Sequence, residues 1–240
     1  MLRLLAFDTA TDHMSIALQA NGRVWTHDGA GGAKASATLI PVVLSLLAQA
    51  ELNLRDLTAI AFGRGPGAFT GLRTACSVAQ GLAYGAGLPV LPIDSLCAVA
   101  EDARVSLAPQ ETWVTMDARM GEIYAGCFVR DPHWLMRPTG PESVGPPDHL
   151  ELPVAAANFV GTGWETYKTV LSARLLETPL HCTGNCFPHA EMVALLAQPM
   201  FVAGMAIDAA DVRPTYLRDN VALTIEQQKP GKFRAQGEND

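Results

Sequence analysis

The chain has 240 residues, 49% hydrophobic and 17% charged, enough for one large domain or two small ones, each with its own core. A formal net charge of −7, with arginines and lysines scattered singly, argues against a protein that binds nucleic acid by itself. The five cysteines have no framework spacing and point to a reducing compartment. The apolar run Leu2 to Phe7, interrupted by Arg3 and stopped by Asp8, is too short for a signal peptide or a membrane span, so the chain reads as soluble and cytoplasmic.

Leu2 to Phe7 is expected to form a buried strand. Met14 to Ala20 reads as a second strand, and Asn21-Gly22 as a hairpin turn into a third at Val24-Trp25. Gly29 to Gly32 reads as a loose loop. Ser36 or Thr38 is expected to cap a helix with Pro41 in its first turn, ending near Glu51. Leu57 to Phe62 is the next strand. A glycine-dense turn leads into a helix from Leu72 to Tyr84, which Gly85 and Gly87 end, and Pro89 to Leu91 starts a short strand. Ser95 to Leu107 reads as helical, with a boundary near Pro109.

The pattern then restarts. Trp113-Val-Thr-Met-Asp117 resembles Leu4-Leu-Ala-Phe-Asp8, and a shift of about 109 residues lays Asp8 on Asp117, Trp25 on Trp134 and the strand around Ile16 on that around Ala125. A Pro-rich loop (Arg137 to Pro147) follows, then a strand at Asn158 to Val160, a turn at Gly161-Thr-Gly163, a helix to Leu176 and a last helix from about His189 to Leu196. The division is 1–108, 109–228 as a degenerate repeat, and a disordered polar tail at 229–240. Two βββαβα units in tandem make an α/β chain with the arrangement of the actin-like or sugar-kinase ATPase fold, a duplicated ribonuclease H-type architecture.

The turn Gly63-Arg64-Gly65-Pro66-Gly67-Ala68-Phe69-Thr70-Gly71 lacks the Lys and Ser/Thr of a P-loop, and Ala68 stands where a dinucleotide fingerprint has its third glycine. A tight strand-to-helix turn that docks another group closely is the simpler reading, and a phosphate cradle at the helix start the alternative. Asp8-Thr9-Ala10-Thr11 sits where an actin-like fold has its first phosphate hairpin, but without the glycines that let backbone N–H groups wrap phosphate. A hydrogen-bonded strand-end Asp8 is preferred. In the second hairpin, pairing of Arg119 with Asp117 or Glu122 stands evenly against phosphate contact. Cys182 and Cys186 between His181 and His189 are taken as incidental, so no metal site is expected, and no nucleophile elbow or His-x-x-x-His pair is present. The helices from Leu39 and from Leu72 are apolar almost all round, and the second is rich in small residues, which fits packing on another chain.

GRGPGAFTGLR (Gly63 to Arg73), Phe7-Asp8-Thr9-Ala10-Thr11, Met116-Asp117-Ala118-Arg119-Met120-Gly121-Glu122-Ile123-Tyr124 and Pro214-Thr215-Tyr216-Leu217-Arg218 together resemble the TsaB family. Its catalytic paralogue, the TsaD family, carries metal-binding histidines in its first helix. Lys34-Ala35-Ser36-Ala37-Thr38 stands there instead, which fits the non-catalytic member. The resemblance implies a subunit without catalytic residues, required for threonylcarbamoylation of adenosine 37 in tRNAs that read codons beginning with A. Its first two helices would pair with the TsaD-family subunit, a TsaE-family ATPase would join, and ATP would belong to the complex rather than to this chain. RNA contact would fall mainly to the partner, and the same helices would allow a homodimer. The expected partner face is Leu39, Val42, Leu46, Ala75, Ala79 and Leu82. The expected degenerate nucleotide cleft is Asp8, Thr9, Gly65, Pro66, Gly67, Thr70, Gly71, Arg73, Asp117, Arg119 and Glu122. The alternatives are an active ATPase or kinase using Asp8 and Asp117, and a peptidase-like protein.

Overall fold

The computed structural model describes residues 2–104, 111–132, 135–175, 177, 179, 181–184 and 186–218. The predicted boundary near Pro109, Trp134, the end of the helix at Leu176 and the tail at 229–240 lie outside the described residues. The first half runs β1 (Leu4–Asp8), β2 (His13–Ala20), β3 (Arg23–Ala30), α1 (Ala35–Gln49), β4 (Ala59–Gly65), α2 (Phe69–Ala86), β5 (Val90–Asp94) and α3 (Ser95–Ala103). The second runs β6 (Thr112–Arg119), β7 (Glu122–Arg130), β8 (Met136–Pro138), β9 (Ser143–Gly145), β10 (Asn158–Val160), α4 (Thr162–Arg174), β11 (His181–Thr183) and α5 (Ala190–Val202).

The duplication read from Asp8 and Asp117 is carried by topology. The first sheet has the order β3-β2-β1-β4-β5, and the second β8-β7-β6-β10-β11, with β9 beside β7. In each, an antiparallel meander is extended on the other side by two parallel strands. Asn21 and Gly22 take the positive φ that a tight two-residue hairpin needs. The second half has no described counterpart of α1. Its Pro-rich segment instead holds the three-residue strands β8 and β9 on either side of a bend, where a loop was predicted.

Alternation along the strands builds the layers. Leu5, Phe7, Ile60 and Phe62 face α1 and α2, whereas Leu4, Ala6, Ala59 and Ala61 face the opposite way, into a cluster with α3 and α5. Val114, Met116 and Phe128 of the second sheet join that same cluster, while its other face, through Ala125 and Phe159, packs on Trp164 and Leu171 of α4. The layers are therefore α1 and α2, first sheet, α3 and α5, second sheet, α4. Small residues in the middle layer, Ala98, Ala100, Ala190, Ala194 and Ala197, let both sheets approach it.

Three local expectations are corrected. Helix α1 starts at Ala35, so Ser36 and Thr38 are not caps: their hydroxyls donate to the carbonyls of Ala33 and Lys34 at 2.9 and 3.0 Å. Gly29 lies in β3, which continues to Ala30. Helix α2 begins at Phe69 and runs through Gly85 to a left-handed Gly87. By length and composition Gly32–Gln49 is apolar enough to cross a membrane, but here Leu39, Val43, Leu46 and Leu47 of α1 pack on the first sheet.

The glycine-dense turn clasps the Asp8–Ala10 backbone. The Thr9 hydroxyl donates to the Gly71 carbonyl at 2.7 Å, and the Ala68 N–H donates to the Ala10 carbonyl at 2.7 Å. A Cβ on Gly71 would stand 1.9 Å from the Thr9 carbonyl oxygen, so this approach needs glycine. Gly71→Ala is expected to lower the unfolding free energy by about 3 kcal/mol. Gly81→Ala, on the same helix with nothing within 4 Å, is expected to raise it by about 0.5–1 kcal/mol. Urea unfolding of the two variants checks the contrast.

Candidate functional site

A cavity of about 400 Å³ opens between the halves. Ala10, Thr11 and Asp12 wall it from the first half, Asp117, Ala118 and Arg119 from the second, and the chain returns at Thr215 to Arg218 to close one side. The Thr215 N–H donates to the Arg64 carbonyl at 2.7 Å and fixes that return. Tyr124 spans the floor, its hydroxyl donating to the Gly67 carbonyl at 3.3 Å.

Of the residues assigned to the cleft from sequence, Gly67, Asp117 and Arg119 line it. Asp8 stands behind the wall, 1% exposed. Its carboxylate accepts the Ala10 N–H at 2.6 Å and the Ser95 hydroxyl at 2.6 Å, and it fills the space a Cβ on Gly63 would need. Thr9, Gly65, Pro66 and Gly71 are likewise buried, the first clasped to α2. Thr70 and Arg73 are exposed on the first turns of α2. The Arg73 guanidinium lies over the Phe69 ring at 3.7 Å, and its Nε donates to the Tyr216 hydroxyl at 3.1 Å. Glu122 turns to Arg218 rather than to Arg119.

The cations at the cleft are already paired. Arg119 donates to Asp117 at 3.0 Å and also to Asp12 from the other half. Arg218 pairs with Glu122 and donates to the Ala118 carbonyl at 3.2 Å. Phosphate entering here would displace carboxylates already bonded to these guanidiniums. Asp12 carried no sequence signal for the site, and Tyr124 was visible only as the end of the second-hairpin motif. Tyr216 and Arg218 were visible only as part of a C-terminal motif.

The expected partner face is corrected in part. Leu39, Leu46, Ala75 and Ala79 are buried in the chain's own core, and Val42 and Leu82 are partly covered. The outward apolar surface of these helices is Ile40, Leu44 and Tyr84, with Val42, Val78 and Leu82 between. A helix apolar almost all round does not disclose from periodicity which side meets the sheet.

A second constellation lies behind Phe187, a cleft-lining residue whose ring stacks on His13. His13, Asp28 and His189 bring one ligand atom each to within 4.8 Å of one another. Of the His and Cys segment singled out in the sequence, only His189 takes part. Cys186 is buried, and its thiol is pushed up to about 11 by that burial, with Asp102 adding to it.

Burial pushes the Asp8 carboxyl up to about 6 against the hydrogen bonds from Ser95 and Ala10, with Asp94 adding to the rise. The folded chain thus holds a proton here that the unfolded chain releases at lower pH, so this group's stabilisation is lost as pH rises toward 6. Asp8→Asn removes that dependence. The stability of the variant relative to the parent is expected to rise by about 2 kcal/mol between about pH 4 and pH 7, read from urea unfolding across pH.

The family model for TsaD, described as tRNA N6-adenosine threonylcarbamoyltransferase, matches residues 31–225. The tRNA threonylcarbamoyladenosine biosynthesis protein TsaB of Escherichia coli K12 is 33% identical, over 96% of this chain and 100% of its own length. That of Haemophilus influenzae is 34% identical, over 92% and 95%. The solved structure of YeaZ from Pseudomonas aeruginosa has a TM-score of 0.81 at 37% identity, covering 90% of this chain and all of that one. A second structure, described as an uncharacterized protein with similarity to peptidase YeaZ from Pseudomonas aeruginosa, has a TM-score of 0.82 at 38% identity, covering 91% and 100%. With two halves of one topology, the glycine clasp and relatives matched over nearly its whole length, this chain belongs to the TsaB family and has its duplicated actin-like fold.

Proposed function

We propose that this chain is a non-catalytic subunit of tRNA threonylcarbamoyladenosine biosynthesis that acts by binding and activating a TsaD-family catalytic subunit. The reading extends to adenosine 37 of tRNAs that read codons beginning with A, to a TsaE-family ATPase joining the pair, and to the cytoplasm as the place of action. ATP is carried by the complex, and tRNA is met mainly through the partner, in keeping with a net charge of −7.

The observation that carries this reading is the outer face of α1 and α2. Helix α1 has no charged residue, and Leu44 is 56% and Ile40 42% exposed on it. Beside them α2 presents partly covered Val78 and Leu82, with Gly81 and Gly85 offering no side chain at all. Apolar side chains next to bare backbone suit close helix-on-helix packing, and a patch of this kind is where association is expected. A second copy of this chain is the alternative occupant of the same face.

The cleft supports the non-catalytic part. Its described lining contains no cysteine, serine or histidine, so it offers no Ser–His or Cys–His pair for a peptidase. An ATPase using Asp8 would need a carboxylate that here is buried and bonded to Ser95 and Ala10.

Leu44→Glu and Gly81→Glu are expected to cut co-purification with a co-expressed TsaD-family subunit at least ~10-fold, because each buries a charge in an apolar interface. Both positions are exposed, so thermal unfolding of the lone chain should move by only a few degrees, about 4 °C at most. Val202→Glu, 84% exposed at the far end of α5, serves as the control. Full recovery of the complex with both variants overturns the proposed face.

A further inference from the structure

We propose that His13, Asp28 and His189 form a binding site for one divalent first-row cation of the zinc type, holding the start of α5 against the β2–β3 hairpin at the back of the cleft. The site stands independently of the partner reading.

The register of the first sheet makes two sides of it. In β2 and β3, Ser15 is opposite Asp28 and His13 opposite Ala30, so His13 and Asp28 are diagonal neighbours on one face. That face meets the start of α5, where the Ala190 N–H donates to Ser15 Oγ at 2.9 Å. His189, the residue before α5, supplies the third side.

The distances suit a small ion. Asp28 Oδ1 is 3.0 Å from His13 Nε2 and 3.4 Å from His189 Nδ1. Zinc held at about 2.0–2.1 Å by such ligands in a tetrahedron has ligand–ligand edges of about 3.3 Å. Two edges are therefore already set. The third, between the imidazoles, is at most 4.8 Å and shortens when both rings turn to one ion. Two imidazole nitrogens and one carboxylate oxygen are a donor set for zinc and its first-row neighbours, and the partial exposure of all three side chains gives the ion a way in.

The surroundings hold the ligands as metal sites require. Ser15, opposite Asp28 in the strand pair, accepts the Ala190 N–H at its hydroxyl oxygen and so fixes the start of α5 over the ligands. Asp102 Oδ2 stands 4.0 Å from Nε2 of His189, the nitrogen on the ring's other side from the Asp28 contact, where its negative charge favours a cation held by that imidazole. Phe187 stacks on His13 with ring centroids 5.0 Å apart. The carboxylates of Asp28 and Asp102 balance the cation at a helix start whose dipole alone would repel it.

The test titrates zinc into the chelator-treated full chain carrying Cys182→Ser, by calorimetry, and records the absorption spectrum with cobalt(II). One equivalent is expected, with a cobalt spectrum free of a thiolate charge-transfer band. His13→Ala, Asp28→Asn and His189→Ala should each weaken binding at least ~10-fold, and Asp102→Asn about 10-fold through the outer shell. His189→Cys should retain zinc and add the thiolate band, which places position 189 on the metal even if an alanine variant folds poorly. Absence of saturable one-to-one binding, a thiolate band in the parent, or affinity unchanged in the three ligand variants overturns the site and leaves only a hydrogen-bonded cluster.

Discussion

Much of this structure rests on one close approach, the clasp of the Asp8–Ala10 segment by the turn from Gly63 to Gly71. The Gly71 carbonyl takes the Thr9 hydroxyl, the Ala68 N–H goes to the Ala10 carbonyl, and Asp8 occupies the space where Gly63 lacks a side chain. The Ala68 donor, beside a helix start that would otherwise suit an anion, is thereby taken by a protein carbonyl. The clasp also sets where α2 begins. From that origin Ala75, Ala79 and Ala83 fall on the sheet, Val78 and Leu82 stay partly covered, and Tyr84 turns outward. An interior contact thus decides which side of α2 is turned outward.

The second half repeats the device with different consequences. Gly161 and Gly163, at the turn from β10 into α4, lie so close to Thr115 of β6 that a Cβ on either would meet its backbone at 2.4 and 2.9 Å. The Asp117 N–H is held by the Thr162 hydroxyl at 3.1 Å, so the end of β6 is tied to a helix start as the end of β1 is. But Asp117 keeps contact with solvent and pairs with Arg119, whereas Asp8 is sealed in. Equivalent carboxylates in equivalent strands have come to differ in burial and partners because only one is roofed by Ser95 and Gly63.

The parts legible in the sequence were those with local physics. Apolar runs marked β1, β4 and β10, Asn21-Gly22 marked the hairpin, Gly87 the end of α2, and Asp8 matched to Asp117 exposed the duplication. β8 and β9 escaped because three-residue strands in a Pro-rich segment have no periodicity to read. Ser36 and Thr38 misled because a hydroxyl that caps one helix can instead bond back inside another. The inward and outward faces of α1 were invisible because Leu39 and Leu44 are the same residue type and only the fold tells them apart. His13, Asp28 and His189 were beyond reach for another reason: strand register and a distant helix start bring them together, with no spacing along the chain.

The two halves are joined by elements of unequal strength, and this bears on how the cleft responds. The Arg119–Asp12 bridge crosses it, but both side chains are largely exposed, and such a pair contributes about 0–1 kcal/mol. The middle layer is different. α3 and α5 share one apolar cluster with both sheets, and buried Glu101 of α3 accepts the β8 backbone N–H of Met136 at 2.8 Å while paired with Arg104. Opening the halves would expose that cluster at about 25 cal/mol for each Å² of apolar surface, far more than the ion pair supplies. The gap between the sheets is therefore set by helix packing, and the exposed Arg119–Asp12 pair at its mouth adds little to it.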